Sequence, residues 1–100
     1  MNKKIKSILK EFSSLVKNEF SAKSRVILFG SYAKGRQKVW SDLDVAVILP
    51  KVKEVFETEK YLRIKSFAID ERINPFVFTK RDLEENSPLV WEIKQYGVEI

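Results

Sequence analysis

Apolar residues near the N-terminus recur at the spacing of one face of a helix. They are Ile5, Ile8, Leu9, Phe12, Leu15 and Val16, and Lys3, Lys4, Lys6, Lys10 and Lys17 stand between and beside them. This periodicity predicts an amphipathic helix over residues 3–19. Docking of its apolar stripe onto a core is favoured over a helix lying on a membrane surface.

Two short apolar runs follow without polar alternation. Arg25–Gly30 and Val45–Leu49 are continuous in apolar character, and Pro50 ends the second run. Such runs are typical of strands buried on both faces. Between them we predict a helical turn near Tyr32–Lys34 and a loop over Gly35–Trp40.

The second half of the chain predicts two more helices and a strand. A helix from Lys53 to about Ser66 would face inward with Val55, Phe56, Leu62 and Phe67. A second helix begins at Ser87-Pro88, with Pro in its first turn, and ends at Gly97; its predicted inward residues are Leu89, Val90, Ile93 and Tyr96.

The strand between these helices is Ile73–Thr79, and Val98–Ile100 adds a last extended piece. Pro75 lacks a backbone N–H, which places the Ile73–Thr79 strand at a sheet edge or at a bulge. The element order predicts one α/β (α+β) domain over residues 1–100, with a small mixed or antiparallel sheet backed by helices.

Composition narrows the possible chemistry. The chain has no Cys and no His, which excludes disulfides, thiolate zinc sites and His-dependent nucleophiles. Oxygen ligands remain, and these favour hard cations such as Mg²⁺ or Mn²⁺. No apolar run approaches the roughly 18 residues of a membrane span, and Lys10 and Glu11 interrupt any signal-peptide core. A cytoplasmic protein is the resulting expectation.

Positive charge is concentrated in the first third of the chain. Residues 1–38 carry ten Lys and Arg against two acidic residues, a net charge of +8, whereas the whole chain carries +5. An anionic partner, such as a nucleotide, a nucleic acid or an acidic protein face, is one interpretation. Solvated helix faces explain most of the lysines equally well.

Gly30-Ser31 lies directly after the first predicted strand. Glycine allows close approach of a ligand, and the hydroxyl and free N–H groups of such a turn suit an anion, although a plain turn is the commoner explanation. Gly30 and Gly35 have the glycine spacing of a P-loop, but Arg36 and Gln37 replace the Lys and hydroxyl that a P-loop requires.

Asp42 and Asp44 stand two residues apart at the entry to the second predicted strand. Residues two apart in a strand share a face, with Cα atoms about 6–7 Å apart. Such carboxylates can hold divalent ions for phosphoryl transfer, whereas a polar turn is the structural alternative. Ten residues separate Ser31 from Asp42, so both motifs are predicted to face one cleft.

The combined pattern GS-x10-D-x-D, within FGSYAKG and SDLDVAVIL, resembles the signature of the DNA polymerase β-like nucleotidyltransferase superfamily, and in particular its minimal, MNT-type members. The resemblance extends to INPFVFT and the C-terminal helix. It implies that Gly30 and Ser31 hold the phosphates of ATP or another NTP, with Lys34 or Arg36 adding a cation. It also implies that the residues ligating Mg²⁺ (or Mn²⁺) are Asp42 and Asp44.

One position departs from the family pattern. In the family that the sequence resembles, a third carboxylate completes the metal shell and assists deprotonation of the attacking hydroxyl. The resemblance matches that carboxylate to position 74, which is Asn74 in this sequence. An amide oxygen ligates a metal weakly and cannot act as a base. Asp70 would lie about 13 Å away along an extended strand, and Glu71 would point to the opposite face, so neither is expected to replace it unless the segment before Ile73 folds back.

The resemblance also implies a partner. MNT-type proteins pair with a separate helical HEPN protein, often the toxin of a toxin–antitoxin pair, and Trp40, Trp91 and Tyr96 are candidates for the contact face. Two hypotheses result: a transferase moving a nucleoside monophosphate, AMP from ATP, onto a hydroxyl of the partner, or a catalytically impaired antitoxin that acts by binding. A plain nucleic-acid binder rests on charge alone and is not favoured.

Overall fold

The computed structural model describes residues 1–100 and contains four helices and four strands. In chain order they are α1 (Lys3–Glu19), β1 (Arg25–Phe29), α2 (Gly30–Lys34), β2 (Leu43–Leu49), α3 (Val55–Phe67), β3 (Ile73–Thr79), α4 (Pro88–Tyr96) and β4 (Val98–Glu99), with a 3₁₀ turn at Asp82–Glu84. No helix is both long enough and apolar enough to span a membrane.

The four strands form one mixed sheet in the order β3-β2-β1-β4. β1 runs antiparallel to β2 and β4, whereas β2 and β3 are parallel. β3 therefore lies at an edge, as Pro75 predicts. The backbone N–H of Val77 donates 2.9 Å to Glu59 of α3, so part of this edge is covered and less available for pairing with another strand.

Helices cover both faces of the sheet. Leu9 and Phe12 of α1 and Leu62 of α3 pack on one face, against residues that include Leu28 and Val45. On the other face Ile93 of α4 packs against a second cluster, formed by Ile27, Phe29, Ala46 and Ile48. Both apolar runs are thus buried on two sides, which confirms the interpretation of their unbroken hydrophobicity.

The helix ends follow their sequence signals. The Asn2 side chain accepts a hydrogen bond from the N–H of Ile5 at 2.8 Å and caps α1. Ser87 caps α4 by accepting from the N–H of Val90 at 3.1 Å, with Pro88 in the first turn. These caps satisfy donors that have no partner within the helix, so the predicted starts of both helices are confirmed.

The predicted inward face of α3 is wrong in part. Leu62 is fully buried, but Phe56 and Phe67 are 86% and 66% exposed, and Val55 is also exposed. Leu62 and the buried Ser66 lie one turn apart and face the sheet, whereas Phe56 and Phe67, about three turns apart, share a different face. The helix also begins at Val55 rather than Lys53.

Three further predictions need correction. Tyr96 is 47% exposed and does not sit inside. The strand predicted at Val45–Leu49 begins two residues earlier, at Leu43, and the predicted helical turn extends back to Gly30. Asp44 is therefore the second residue of a paired strand, because its backbone continues the ladder with β1 and β3.

Asp70 closes the turn between α3 and β3. Its carboxylate accepts three bonds of 2.9 Å from Arg72: one from the backbone N–H and two from the guanidinium. The carbonyl of Arg72 in turn accepts from the N–H of Leu43 at 2.8 Å. These hydrogen bonds from Arg72 hold the pKa of Asp70 below its usual value.

Asp70→Asn is therefore expected to lower the free energy of unfolding by about 1 kcal/mol at neutral pH. A carboxyl with a lowered pKa in the folded state stabilises above its unfolded pKa of about 3.9, and this contribution is lost as pH falls through the folded value. Denaturant unfolding near pH 7 and pH 3 should thus give a smaller difference between the two proteins at the lower pH. An unchanged difference would contradict a role for the Asp70 charge.

Candidate active site

The end of β1 and the start of β2 bring the two sequence motifs together. Phe29, the last residue of β1, pairs with Asp44 in the antiparallel ladder. The chain turns directly from Phe29 into α2 at Gly30. The two predicted strands are neighbours, so Gly30-Ser31 and Asp44 lie at the same end of the sheet.

Gly30 lies directly against the Asp44 carboxylate. Its φ is +75°, in the left-handed region that favours glycine. A Cβ added here would stand 2.5 Å from Asp44 Oδ2, closer than real contacts allow. Glycine is therefore needed at position 30 both for backbone conformation and for the space that the carboxylate occupies.

Ser31 presents a hydroxyl that forms no hydrogen bond within the protein, and the side chain is half-buried. Its backbone carbonyl is occupied, because the N–H of Arg36 donates to it at 2.9 Å. Gly35, with φ +70°, ends α2 and turns the chain back toward this bond. The turn holds the Ser31 backbone while the hydroxyl stays available to a ligand.

Asp42 and Asp44 form a carboxylate pair that no cation neutralises. Asp42 is exposed just before β2, and Asp44 is half-buried within it; neither forms an ion pair with Lys or Arg. The pKa of Asp44 is raised, chiefly by burial and further by the charges of Asp42 and Glu92, while a hydrogen bond from Asn74 opposes the shift. Uncompensated negative charge of this kind favours binding of a cation.

The donor set fits a hard divalent ion that brings other ligands with it. No group of three acidic, His or Cys residues is arranged to hold a metal. Mg²⁺ is commonly held by one or two carboxylates, with phosphate oxygens and water completing its shell. Asp42 and Asp44 meet that requirement, whereas a site built from protein ligands alone is not present.

Asn74 aligns with Asp44 in the parallel ladder of β2 and β3. Its Nδ2 donates to Asp44 Oδ1 at 3.1 Å. The position to which the family resemblance assigns a third carboxylate therefore does lie beside Asp44, but it offers an amide. The side chain contacting the Asp44 carboxylate is a hydrogen-bond donor rather than a second negative charge.

The segment before β3 is a turn and not the extended strand assumed from sequence. The Asp70 carboxylate forms an ion pair with Arg72 in that turn. Glu71 instead lines a cavity of about 410 Å³ together with Asp42; the other lining residues are Val39, Trp40, Phe67 and Arg72. Sequence spacing could not show that Phe67 and Arg72 border the site, because the turn that brings them there depends on tertiary contacts.

The two predicted phosphate-binding cations differ in their surroundings. Lys34 forms an ion pair with Glu92 of α4 and lies 5.3 Å from the centre of the Tyr96 ring. Arg36 is exposed and forms no ion pair; it lines a cavity of about 230 Å³ with Lys34 and Tyr96. Arg36 is free to meet a phosphate, whereas Lys34 would have to leave Glu92. Sequence reasoning missed Glu92, since no motif marks it.

Comparison with known proteins gives consistent results. The family description "Nucleotidyltransferase domain" matches residues 5–98. The chain is 32% identical over 99 residues to a Methanocaldococcus jannaschii protein named "Putative protein adenylyltransferase MJ0141", covering 96% of this chain and 94% of that protein.

Two solved structures share the fold. A crystal structure of a mutant of the toxin–antitoxin MntA-HpeT superposes with a TM-score of 0.67 at 21% identity, covering 92% of this chain and 70% of the other. A toxin–antitoxin crystal structure with AMP-PNP gives a TM-score of 0.64 at 22% identity, covering 90% and 70%. From the match along nearly its whole length, we conclude that the chain belongs to the nucleotidyltransferase domain family.

Proposed function

We propose that the protein is a Mg²⁺-dependent nucleotidyltransferase that moves AMP from ATP onto a hydroxyl of a partner protein, and that the partner is a helical HEPN toxin. The observation that carries the proposal is the unneutralised Asp42–Asp44 pair at the mouth of the sheet, with the Asp44 carboxylate against Gly30. The adenylyltransferase name of the M. jannaschii relative and the AMP-PNP in a structural neighbour support ATP as the donor.

In the proposed reaction, the hydroxyl oxygen of the partner forms a bond to the α-phosphorus of ATP while the bond from that phosphorus to the β-phosphate breaks. Pyrophosphate leaves, and the hydroxyl proton passes to water, because an amide at Asn74 cannot accept it. Gly30 and Ser31 bind the terminal phosphates, and Arg36 adds positive charge. Asp42 and Asp44 would hold Mg²⁺, which neutralises phosphate charge and polarises the α-phosphate.

A second candidate function follows from Asn74. If two carboxylates are too few for turnover, the same fold would serve as an antitoxin that neutralises its toxin by contact. The toxin–antitoxin neighbours support a protein partner under both functions. Retained transfer activity distinguishes the two.

The test is transfer of label from α-labelled ATP, with Mg²⁺ or Mn²⁺, to the protein encoded by the neighbouring reading frame. Label on the partner that disappears when Asp42 and Asp44 are both changed to Asn supports the transferase. No label, with partner binding intact in both forms, would overturn the transferase and leave the binding function.

Trp40 is expected to contribute to partner binding. Its side chain is 80% exposed and borders the cavity that contains Asp42, so it lies beside one of the two carboxylates. Because exposed aromatic residues often anchor interfaces, Trp40→Ala should weaken partner binding about tenfold with little change in melting temperature. Calorimetric titration with the partner measures this.

Trp91→Ala is the matched control. Trp91 is also exposed, but its ring packs edge-to-face on Tyr96 with centroids 6.0 Å apart, and it does not line the Asp42 cavity. We expect a smaller loss of affinity. Equal losses for the two variants would contradict an interface centred beside Asp42.

A further inference from the structure

A chain of side-chain hydrogen bonds connects α3 to the candidate site. Arg63 Nη2 donates to Asn74 Oδ1 at 3.0 Å and to the carbonyl of Pro75 at 3.3 Å. Asn74 Nδ2 then donates to Asp44 Oδ1 at 3.1 Å. Arg63 lies eleven residues from Asn74, on a helix that packs beside β3.

The chemistry of the two neighbours determines which way the Asn74 amide points. A guanidinium has only donors, and an ionised carboxylate has only acceptors. The amide oxygen must therefore face Arg63 and the amide nitrogen must face Asp44. The opposite orientation would place two donors together on one side and two acceptors together on the other, so both hydrogen bonds would be lost.

We propose that Arg63 is a positioning residue that acts through Asn74 on the carboxylate of Asp44. Arg63 holds the Asn74 oxygen, the only atom with which Asn74 could ligate a cation, toward α3, and Asn74 presents to Asp44 an N–H that orients its carboxylate. The family resemblance assigns a third carboxylate to position 74. In this chain Asn74 instead orients the carboxylate of Asp44. This inference rests on the proposed function of Asp44 as a metal-binding residue.

The arrangement has a chemical consequence for a cation at Asp44. An Asn74 oxygen held by Arg63 adds no ligand, so the protein offers two carboxylates and the bound nucleotide must complete the coordination shell. A hydrogen-bonded carboxylate also loses less freedom when it binds an ion, since its orientation is already set. Arg63 is thus expected to affect the rate of transfer more than the binding of ATP.

The principal experiment compares Arg63→Gln with Arg81→Gln, which removes an arginine that makes no side-chain hydrogen bond in the structure. The first readout is the ¹H–¹⁵N signal pair of the Asn74 side-chain amide, recorded with and without Mg²⁺. It should shift in Arg63→Gln and stay in place in Arg81→Gln. An Asn74 signal that is insensitive to Arg63→Gln overturns the proposal.

The second readout is the kinetics of label transfer. Arg63→Gln should lower kcat about tenfold, a size typical for groups that orient metal ligands, with the KM for ATP unchanged. Arg63→Lys, which keeps a positively charged hydrogen-bond donor, should recover part of the rate. A rise in KM at constant kcat would contradict positioning and indicate a direct contact with ATP.

Asn74→Asp tests the same geometry from the other side. A carboxylate at position 74 would add a ligand next to Asp44, with Arg63 at hand as its counter-ion, so Mn²⁺ binding without nucleotide should tighten about tenfold. Paramagnetic resonance of free Mn²⁺ measures this. Unchanged affinity would show that position 74 does not face the cation and would overturn the proposal.

The readouts separate this inference from the proposed function. The Asn74 amide signal and the Mn²⁺ affinity require no transfer activity, so they test the Arg63–Asn74–Asp44 chain even if the protein proves to be a binding antitoxin. Transfer activity that is lost with Asp42 and Asp44 but unchanged in Arg63→Gln would retain the proposed function and reject the role of Arg63.

Discussion

Replacing both Asp42 and Asp44 by Asn is expected to lower nucleotide transfer by a factor of about 10³ or more, without loss of stability. The two carboxylates are the groups proposed to hold the metal, and a metal held there supplies several kcal/mol of charge stabilisation in the transition state. At about 1.4 kcal/mol per factor of ten, losing it accounts for an effect of this size. Label transfer from α-labelled ATP measures it.

The stability of this double variant should stay the same or rise while its transfer activity falls. Burial raises the pKa of Asp44 in the folded protein. Ionising its carboxyl therefore costs more in the folded than in the unfolded state, so the charge of Asp44 destabilises the fold at neutral pH. An uncharged Asn removes this cost and can still accept from Asn74. The melting temperature near pH 7 should therefore be equal or higher in the variant, and any gain should shrink as pH falls and Asp44 protonates.

Asp82→Asn is the matched control for the double variant. Asp82 lies outside the site, where its carboxylate accepts a bond of 2.8 Å from the N–H of Thr79 at the end of β3. This variant should lose some stability and keep full transfer. If the Asp42 and Asp44 double variant instead unfolds at a lower temperature, the two carboxylates have a structural role and the assignment is wrong.

Gly30→Ala is expected to lower transfer about 100-fold, because the added methyl carbon would stand only 2.5 Å from Asp44 Oδ2. The carboxylate must move to make room, and a displacement of about 1 Å at a catalytic group can cost a factor of 10². The left-handed backbone of residue 30 adds about 1 kcal/mol of strain. Steady-state kinetics and thermal unfolding measure the two effects separately.

Gly35→Ala isolates the effect of the backbone. Gly35 has nearly the same φ, +70°, but a Cβ there meets no atom within 4 Å. Both variants should lose similar stability, while Gly35→Ala keeps most of its transfer activity. Comparable losses of activity in the two variants would show that backbone strain, and not the contact with Asp44, explains the effect of Gly30→Ala.

Local patterns predicted the scaffold well where the apolar residues of an element match its buried positions. The stripe of α1 and the unbroken runs of β1 and β2 carry enough apolar residues to determine which surfaces leave water. Ser87 and Pro88 act through neighbours within one helical turn. Such signals depend on residues close in the chain, so they are readable without coordinates.

The same patterns failed where apolar residues outnumber the buried positions. α3 carries aromatic and aliphatic residues on more than one face, and only the packing of Leu62 against the sheet shows which of them is buried. Phe56 and Phe67 remain exposed. Periodicity cannot choose between two apolar faces, because the choice depends on where the neighbouring strand lies.

By itself, the sequence determined the element types and the spacing between Gly30-Ser31 and the two aspartates, and its family resemblance singled out Asn74. The tertiary structure alone decided which groups meet: Gly30 against Asp44, Glu92 on Lys34, and Arg63 on the Asn74 amide. Spacing within a motif follows from local backbone geometry. Contacts between α3, α4 and the strand ends depend on how separate elements pack, and a single sequence does not carry that information in readable form.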